Sequence, residues 1–171
     1  MDDYSNIILG TSSYDKMKHG NMVSITGDGG HAWGYFGPAY KKLAPRLKTY
    51  EAYGSKLEEL QNLRDDLVKY KAVQKQIEDD YIESYYMTRL KDLYVPDLLE
   101  ELYRRFGDNI ILLCHEPIDE FCHRRVLADY IELEMGFYIP EVKEDEEGNI
   151  IKEKPIRYKS RINKIMNKAI L

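Results

Sequence analysis

Eleven residues of the sequence, from position 114 to position 124, include both cysteines, two of the four histidines, Glu116 and Arg124. A thiol beside a helix N-terminus and a cationic group has a lowered pKa, which favours the reactive thiolate. Cys122 fits that description, because Arg124 follows it closely. Glu116 and His123 are candidates for transferring a proton in the same reaction. The alternative is that both cysteines are small apolar core residues.

The same stretch has the chemistry of an anion site. Residues 122–124 are expected in the first turn of a helix, where free N–H groups and the helix dipole favour negative charge. The planar guanidinium of Arg124 matches a phosphate or carboxylate bidentately. We therefore expect Arg124 to hold an anion, with Cys114 beside it at the end of the preceding strand. The alternative is a structural salt bridge between Arg124 and Glu116.

A metal site is the third chemistry that these residues suggest. Cys114, His115, Cys122 and His123 all carry groups that can bind zinc. Their spacing, however, matches neither of the common zinc patterns, and adjacent residues usually point apart. The sequence therefore predicts no metal and no cofactor.

A glycine-rich stretch, residues 27–37, is the second part of the predicted site. Its five glycines in eleven residues allow the backbone to approach a ligand closely. The pattern is neither a dinucleotide-binding fingerprint nor a phosphate-binding P-loop. We expect Gly29, Gly30, His31 and Trp33 to form an ordered loop that closes over the ligand, and a flexible connection is the alternative.

The elements that would position these residues follow a strand–loop–helix order. Residues 110–113 are an apolar run typical of a strand buried on both faces, and helical periodicity starts at Phe121 and ends at Gly136. Further strands are predicted at 7–9 and 22–26, and a further helix at 96–106. This alternation predicts one α/β domain over residues 1–171 with a small, largely parallel sheet, whose ligands bind beyond the carboxyl ends of the strands.

The middle of the chain reads as a helical insertion, residues 55–94. Apolar residues recur every three or four positions, Ser55 and Glu58 have capping-box spacing, and a bend is expected near Asp79. A helical pair packed on the domain is one interpretation, and an arm for homodimerisation or partner binding is the other. Residues 154–171 predict a basic amphipathic C-terminal helix that packs on the domain or contacts an anionic partner.

Composition limits the function classes. The chain has 171 residues, 43% of them hydrophobic, and a net charge of −5, so it is no polycation built to coat DNA. Its basic segments, with Trp33, Tyr35 and Phe36, nevertheless keep nucleic acid among the expected partners. No apolar run reaches the roughly 20 residues of a membrane span, and we expect a cytoplasmic protein without membrane contact.

Cys114, Glu116 and the run Phe121-Cys122-His123-Arg124 resemble the motif of the domain of unknown function 488 family. That motif is an apolar strand ending in Leu-Leu-Cys-aromatic-Glu, followed by Phe-Cys-His-Arg at a helix start. Tyr40 with Leu43-Ala44-Pro45 is similar to a second, softer signature. His115 departs from the motif's aromatic residue. The resemblance implies an α/β fold and a site at these residues, and it names no reaction.

Together these observations predict a pocket between the glycine-rich stretch and residues 114–124. We expect it to recognise a phosphorylated small molecule, a nucleotide or an exposed nucleotide of a nucleic acid. Whether it catalyses a reaction is left open. The alternative is an interaction protein that uses the helical arm, residues 55–93, with the Cys/His/Arg motif bracing the fold.

Overall fold

One mixed sheet forms the centre of the fold in this computed structural model, which describes residues 3–170. Its strands are β1 (Ile8–Ser13), β2 (Asn21–Ser24), β3 (Ile110–Cys114), β4 (Glu141–Glu144) and β5 (Ile150–Glu153). Their order is β2-β3-β1-β4-β5. The first four run parallel and β5 pairs antiparallel with β4. The predicted α/β fold with a largely parallel sheet is confirmed.

The central strand is the apolar run found in the sequence. Every residue of β3 is buried, because β1 and β2 flank it and helices cover the sheet. β1 extends through Ser13, four residues beyond the end of the strand predicted at 7–9. Gly10 makes this extension sterically feasible, since a Cβ there would lie 2.7 Å from the carbonyl oxygen of Pro140, against which β1 packs. The neighbouring Thr11 N–H donates a hydrogen bond to the same oxygen over 2.9 Å.

Five α-helices complete the described part of the chain. They are α1 (Leu47–Leu60), α2 (Leu67–Tyr85), α3 (Val95–Phe106), α4 (His123–Met135) and α5 (Lys159–Ile170). The expected helix ends are confirmed at Gly107 and Gly136, where positive φ angles of 85° and 81° terminate α3 and α4. Residues 1, 2 and 171, which the predicted domain and terminal helix include, lie outside the described residues.

The helical middle differs from its predicted form. α1 starts at Leu47, so Ser55 and Glu58 lie inside a helix and the capping-box prediction was wrong. The chain then turns at residues 61–66, and Asp66 caps α2 by accepting a hydrogen bond from the N–H of Lys69. Contacts between Thr49 and Ser84 and between Lys56 and Asp80 show that the two helices run antiparallel. The predicted bend near Asp79 is absent, and a π-helical turn, Tyr86–Leu90, follows α2 instead.

The C-terminal helix packs against the helical hairpin. Arg161 of α5 forms ion pairs with Glu78 and Asp79 of α2, over 3.0 and 2.7 Å. Among the described residues, no helix combines the length and the apolar composition needed to cross a bilayer.

Candidate ligand-binding site

A cavity of about 690 Å³ opens at the carboxyl ends of β2 and β3. Thr26, Gly27 and Asp28, which follow β2, form one part of its wall, and His115 and Glu116, which follow β3, form another. The volume lies within the range of small-molecule sites, and this edge of a parallel sheet is where α/β proteins bind ligands.

Aromatic rings form much of the remaining wall. Trp33 lies parallel to the His115 ring, with centroids 4.5 Å apart and 6° between the planes. Phe121 packs edge-on against Tyr81, with ring centroids 4.9 Å apart, and at a tilt of 42° against Tyr53, with centroids 5.4 Å apart. Such faces can stack with a planar ligand, because aromatic pairs are favoured at these separations.

Two cations line the cavity. Arg89 donates its Nε hydrogen to the carbonyl oxygen of Ala44 over 2.7 Å. Within residues 3–170, its two terminal nitrogens and the Lys41 ammonium have no hydrogen-bond or ion-pair partner. Burial lowers the pKa of Arg89, and the nearby charge of Arg46 lowers it further. An unpaired guanidinium next to another cation is a strong attractor for an anion.

Glu116 is the acidic group at the inner end of the cavity. Its Oε2 lies 3.2 Å from the sulfur of Cys114 and 3.0 Å from that of Cys122, and its Oε1 lies 3.2 Å from Nε2 of His115. Burial raises the pKa of Glu116, and electrostatic interactions with His115 and Arg124 offset part of that effect. A carboxyl group whose pKa is raised by burial is a candidate for proton transfer to or from a ligand.

His123 is held in one tautomer by the backbone. Its Nε2 lies 2.8 Å from the carbonyl oxygen of Ile25, and because a carbonyl only accepts, Nε2 must carry the hydrogen. Burial lowers the pKa of His123 to about 4, so the ring is neutral at physiological pH. Nδ1 therefore retains its lone pair.

Arg124, the predicted anion contact, lies behind the cavity wall. Its side chain is 1% exposed, and Nε and Nη2 donate to the carboxylate of Glu141 in β4, with a shortest distance of 2.6 Å. Nη1 donates to the carbonyl oxygen of Glu116 over 2.8 Å. Arg124 therefore forms its ion pair with Glu141, and not with the Glu116 carboxylate that the sequence suggested as a partner. The reason is that the first turn of α4 faces the sheet, where Glu141 lies.

The two cysteines meet beneath Glu116. Their sulfur atoms are in bonding contact, their Cα atoms are 7.8 Å apart, and Nη1 of Arg124 lies 3.0 and 3.3 Å from the sulfurs of Cys114 and Cys122. A ring nitrogen of His123 lies within 4.8 Å of both. The expectation that adjacent residues point apart was wrong for Cys122 and His123, because the extended backbone at Cys122 precedes the helical turn of His123.

The glycine-rich loop is ordered by Asp28. Its carboxylate accepts hydrogen bonds from the N–H groups of Gly30 and Ala32, over 2.8 and 3.0 Å, which lower the pKa of Asp28. Trp33 lines the cavity. Gly29, Gly30 and His31 do not line it.

Two of these loop residues have other neighbours. Gly30 packs against Tyr14, where a Cβ would lie 2.7 Å from the ring, and His31 stacks on Phe36 at 5.0 Å.

Sequence reasoning missed several wall residues, among them Lys41, Tyr50, Tyr53, Tyr81 and Arg89. Tyr81 and Arg89 belong to the helical middle, whose periodicity indicated only that one face is buried, and Tyr50 and Tyr53 lie in the part of α1 that precedes the predicted insertion. No local pattern signals that two helices fold back over the sheet edge.

Comparison of the chain with models of protein families, with curated proteins and with solved structures found no match.

Proposed function

We propose that the cavity binds a phosphorylated ligand with a planar ring, of the nucleotide class, either free or exposed on a nucleic acid. The observation that carries this proposal is a pair of cations, Arg89 and Lys41, that have no ion-pair partner among residues 3–170 and lie in the same cavity as stacked aromatic side chains. A nucleotide combines the two features that such a wall recognises, an anion and an aromatic ring.

The anionic end would contact Arg89. With Nε already on the carbonyl of Ala44, both terminal nitrogens of its guanidinium can donate to two oxygens of one phosphate. Lys41 supplies a second, point-like charge. The phosphate contact thus moves from Arg124, which the sequence suggested, to a cation of the helical middle.

The ring would stack on Trp33 or on the tyrosines of the cavity wall. Trp33 is 57% exposed, which leaves ring surface for a ligand. Base–aromatic stacking contributes about 1–3 kcal/mol per base and tolerates any base. Glu116 is the group available to exchange a proton with the ligand, because burial favours its neutral form.

Ligand binding can be tested by thermal unfolding and calorimetric titration of the full chain. We expect nucleoside monophosphates to raise the melting temperature, and ribose 5-phosphate, unphosphorylated nucleoside and inorganic phosphate to raise it less. At a ligand concentration of 100 Kd the stabilisation should be about 2.7 kcal/mol.

Substitution of Arg89 tests the anion contact. Arg89→Ala should weaken nucleotide binding by roughly 10- to 100-fold, because a charged hydrogen bond contributes about 1.5–3 kcal/mol. Arg64→Ala, which removes an exposed arginine outside the cavity wall, is the matched control and should bind like the parent. Equal affinities of the parent and Arg89→Ala, or no binding of any monophosphate at millimolar concentration, would overturn the proposal.

Trp33→Ala tests the stacking contact. Phe36→Ala is the matched control, because it removes another exposed aromatic ring that does not line the cavity. Only the first variant should lower the preference for nucleotide over ribose 5-phosphate. The same loss in both variants would contradict stacking on Trp33.

A further inference from the structure

We propose that Cys114, Cys122 and His123 bind one thiophilic divalent cation, zinc foremost, at the wall of the cavity. The ligand atoms of these three residues lie within 4.8 Å of one another, close enough to converge on a single ion. Two thiolates and an imidazole are a ligand set that zinc prefers. This site is independent of nucleotide binding.

The backbone separation of the cysteines favours a shared ion over a cross-link. Their Cα atoms lie 7.8 Å apart, whereas ordinary disulfides have Cα separations of about 4.4–6.8 Å. A shared ion requires both cysteines as reduced thiols, because their sulfur atoms are in bonding contact in this structure.

His123 has the second contact that zinc-binding histidines have. Such a histidine donates the hydrogen of its other ring nitrogen to a carboxylate or backbone carbonyl, which fixes its orientation. The 2.8 Å contact between Nε2 and the carbonyl oxygen of Ile25 is of this kind, and it leaves Nδ1 as the ligand atom.

The surroundings of the sulfurs suit thiolates. Nη1 of Arg124 donates toward both sulfur atoms, at 3.0 and 3.3 Å, so a cationic hydrogen-bond donor lies beside the two proposed sulfur ligands. Glu116 Oε2, 3.0 Å from the sulfur of Cys122, lies on the cavity side of the cluster. Three protein ligands would leave a fourth tetrahedral position for another group, an arrangement found in zinc sites that also bind substrate or water.

Metal analysis of the full chain tests this site. The protein is purified under reducing conditions without chelator, incubated with excess Zn²⁺ and dialysed, and we expect about one zinc per chain by mass spectrometry of the elements. Replacement by Co²⁺ should give a thiolate-to-cobalt charge-transfer band in the near ultraviolet.

Variants locate the ion. Cys114→Ser and Cys122→Ser should each lower zinc affinity at least tenfold and weaken the cobalt band. His115→Ala is the matched control, because His115 can also bind zinc and neighbours Cys114, yet it lies outside the cluster. It should retain the metal and the band.

If the serine variants fail to fold, the cobalt spectrum of the unchanged chain shows whether the cysteines bind the metal. Less than one tenth of an equivalent of zinc, or cobalt binding without a charge-transfer band, would overturn the proposal. So would a denatured mass lower by two hydrogens, with no thiol open to alkylation, because the cysteines would then be a stable disulfide. Failure of nucleotide binding leaves this result unaffected, since neither measurement includes a nucleotide.

Discussion

Arg124 and Glu141 form a buried ion pair that ties the start of α4 to β4. Their side chains are 1% and 3% exposed, and Thr11 donates its hydroxyl hydrogen to the same carboxylate over 2.6 Å. Removal of one partner of such a pair leaves a buried charge without compensation, which is far more costly than loss of a surface pair.

Arg124→Ala should therefore lower the free energy of unfolding by about 3–5 kcal/mol. Arg105→Ala, which breaks an exposed pair with Glu101, is the control and should cost at most about 1 kcal/mol. Urea unfolding in the presence of a chelator measures both without a contribution from metal. Similar stabilities for the two variants would show that the Glu141 carboxylate is solvated or paired elsewhere.

The sequence identified Arg124 as a special residue but not its partner. Glu141 begins a segment dense in acidic residues, a composition that is typical of a solvated surface. Only the pairing of Thr11 with Glu141 across β1 and β4 brings that carboxylate under α4. Contacts made across parallel strands lack a local signal, so Arg124 was assigned to the ligand instead.

The turn between α1 and α2 is an element boundary that the apolar periodicity of the sequence does not predict. Leu60, Leu63 and Leu67 continue the helical spacing across residues 61–66, and this turn contains neither glycine nor proline. The pattern therefore reads as one helix, although Asp66 adopts an extended conformation and starts a new one. By contrast, α3 and α4 end at glycines, and their ends were predictable.

Asp66→Ala should destabilise the fold by about 1 kcal/mol, because it removes the side-chain acceptor for the N–H of Lys69. Asp65→Ala is the matched control: Asp65 is an exposed acidic neighbour that does not cap the helix. Thermal unfolding of both variants compares the two positions. Equal melting temperatures would mean that water replaces the cap without loss.

For the whole molecule, the tyrosines determine how the fold responds to alkali. Burial raises the pKa of Tyr35, Tyr40 and Tyr130 to about 12, and the hydrogen bond from Tyr40 to Glu101 adds to the effect there. Burial also raises the pKa values of other tyrosines, namely Tyr14, Tyr53, Tyr81, Tyr85 and Tyr158.

The raised tyrosine pKa values make the stability of the fold decrease in alkali. Between pH 10 and 12 the unfolded chain has lost tyrosine protons that the folded chain keeps, so stability falls as the pH rises. Each buried tyrosine contributes a slope of up to about 1.4 kcal/mol per pH unit, and stability below pH 10 is unaffected by this linkage.

We therefore expect steep unfolding above pH 10, in which circular dichroism is lost together with the appearance of tyrosinate absorbance. The same titration in urea, where the chain is already unfolded, should give one gradual tyrosinate transition near pH 10. A folded chain whose tyrosines all ionise gradually, with its circular dichroism intact, would contradict their burial.

The π-helical turn, Tyr86–Leu90, makes the direction of Arg89 in the cavity depend on the number of residues in the turn as well as on their types. The N–H of Lys91 bonds to the carbonyl of Tyr86, five residues back, so the turn holds one residue more than an α-helical turn. A homologous chain lacking that extra residue could retain every side chain of the cavity wall. Its Arg89 would nevertheless be rotated by roughly 100° about the helix axis, away from its present direction. Two proteins with the same motif residues could therefore select different anions. A one-residue gap in their alignment at Tyr86–Leu90 would indicate this difference.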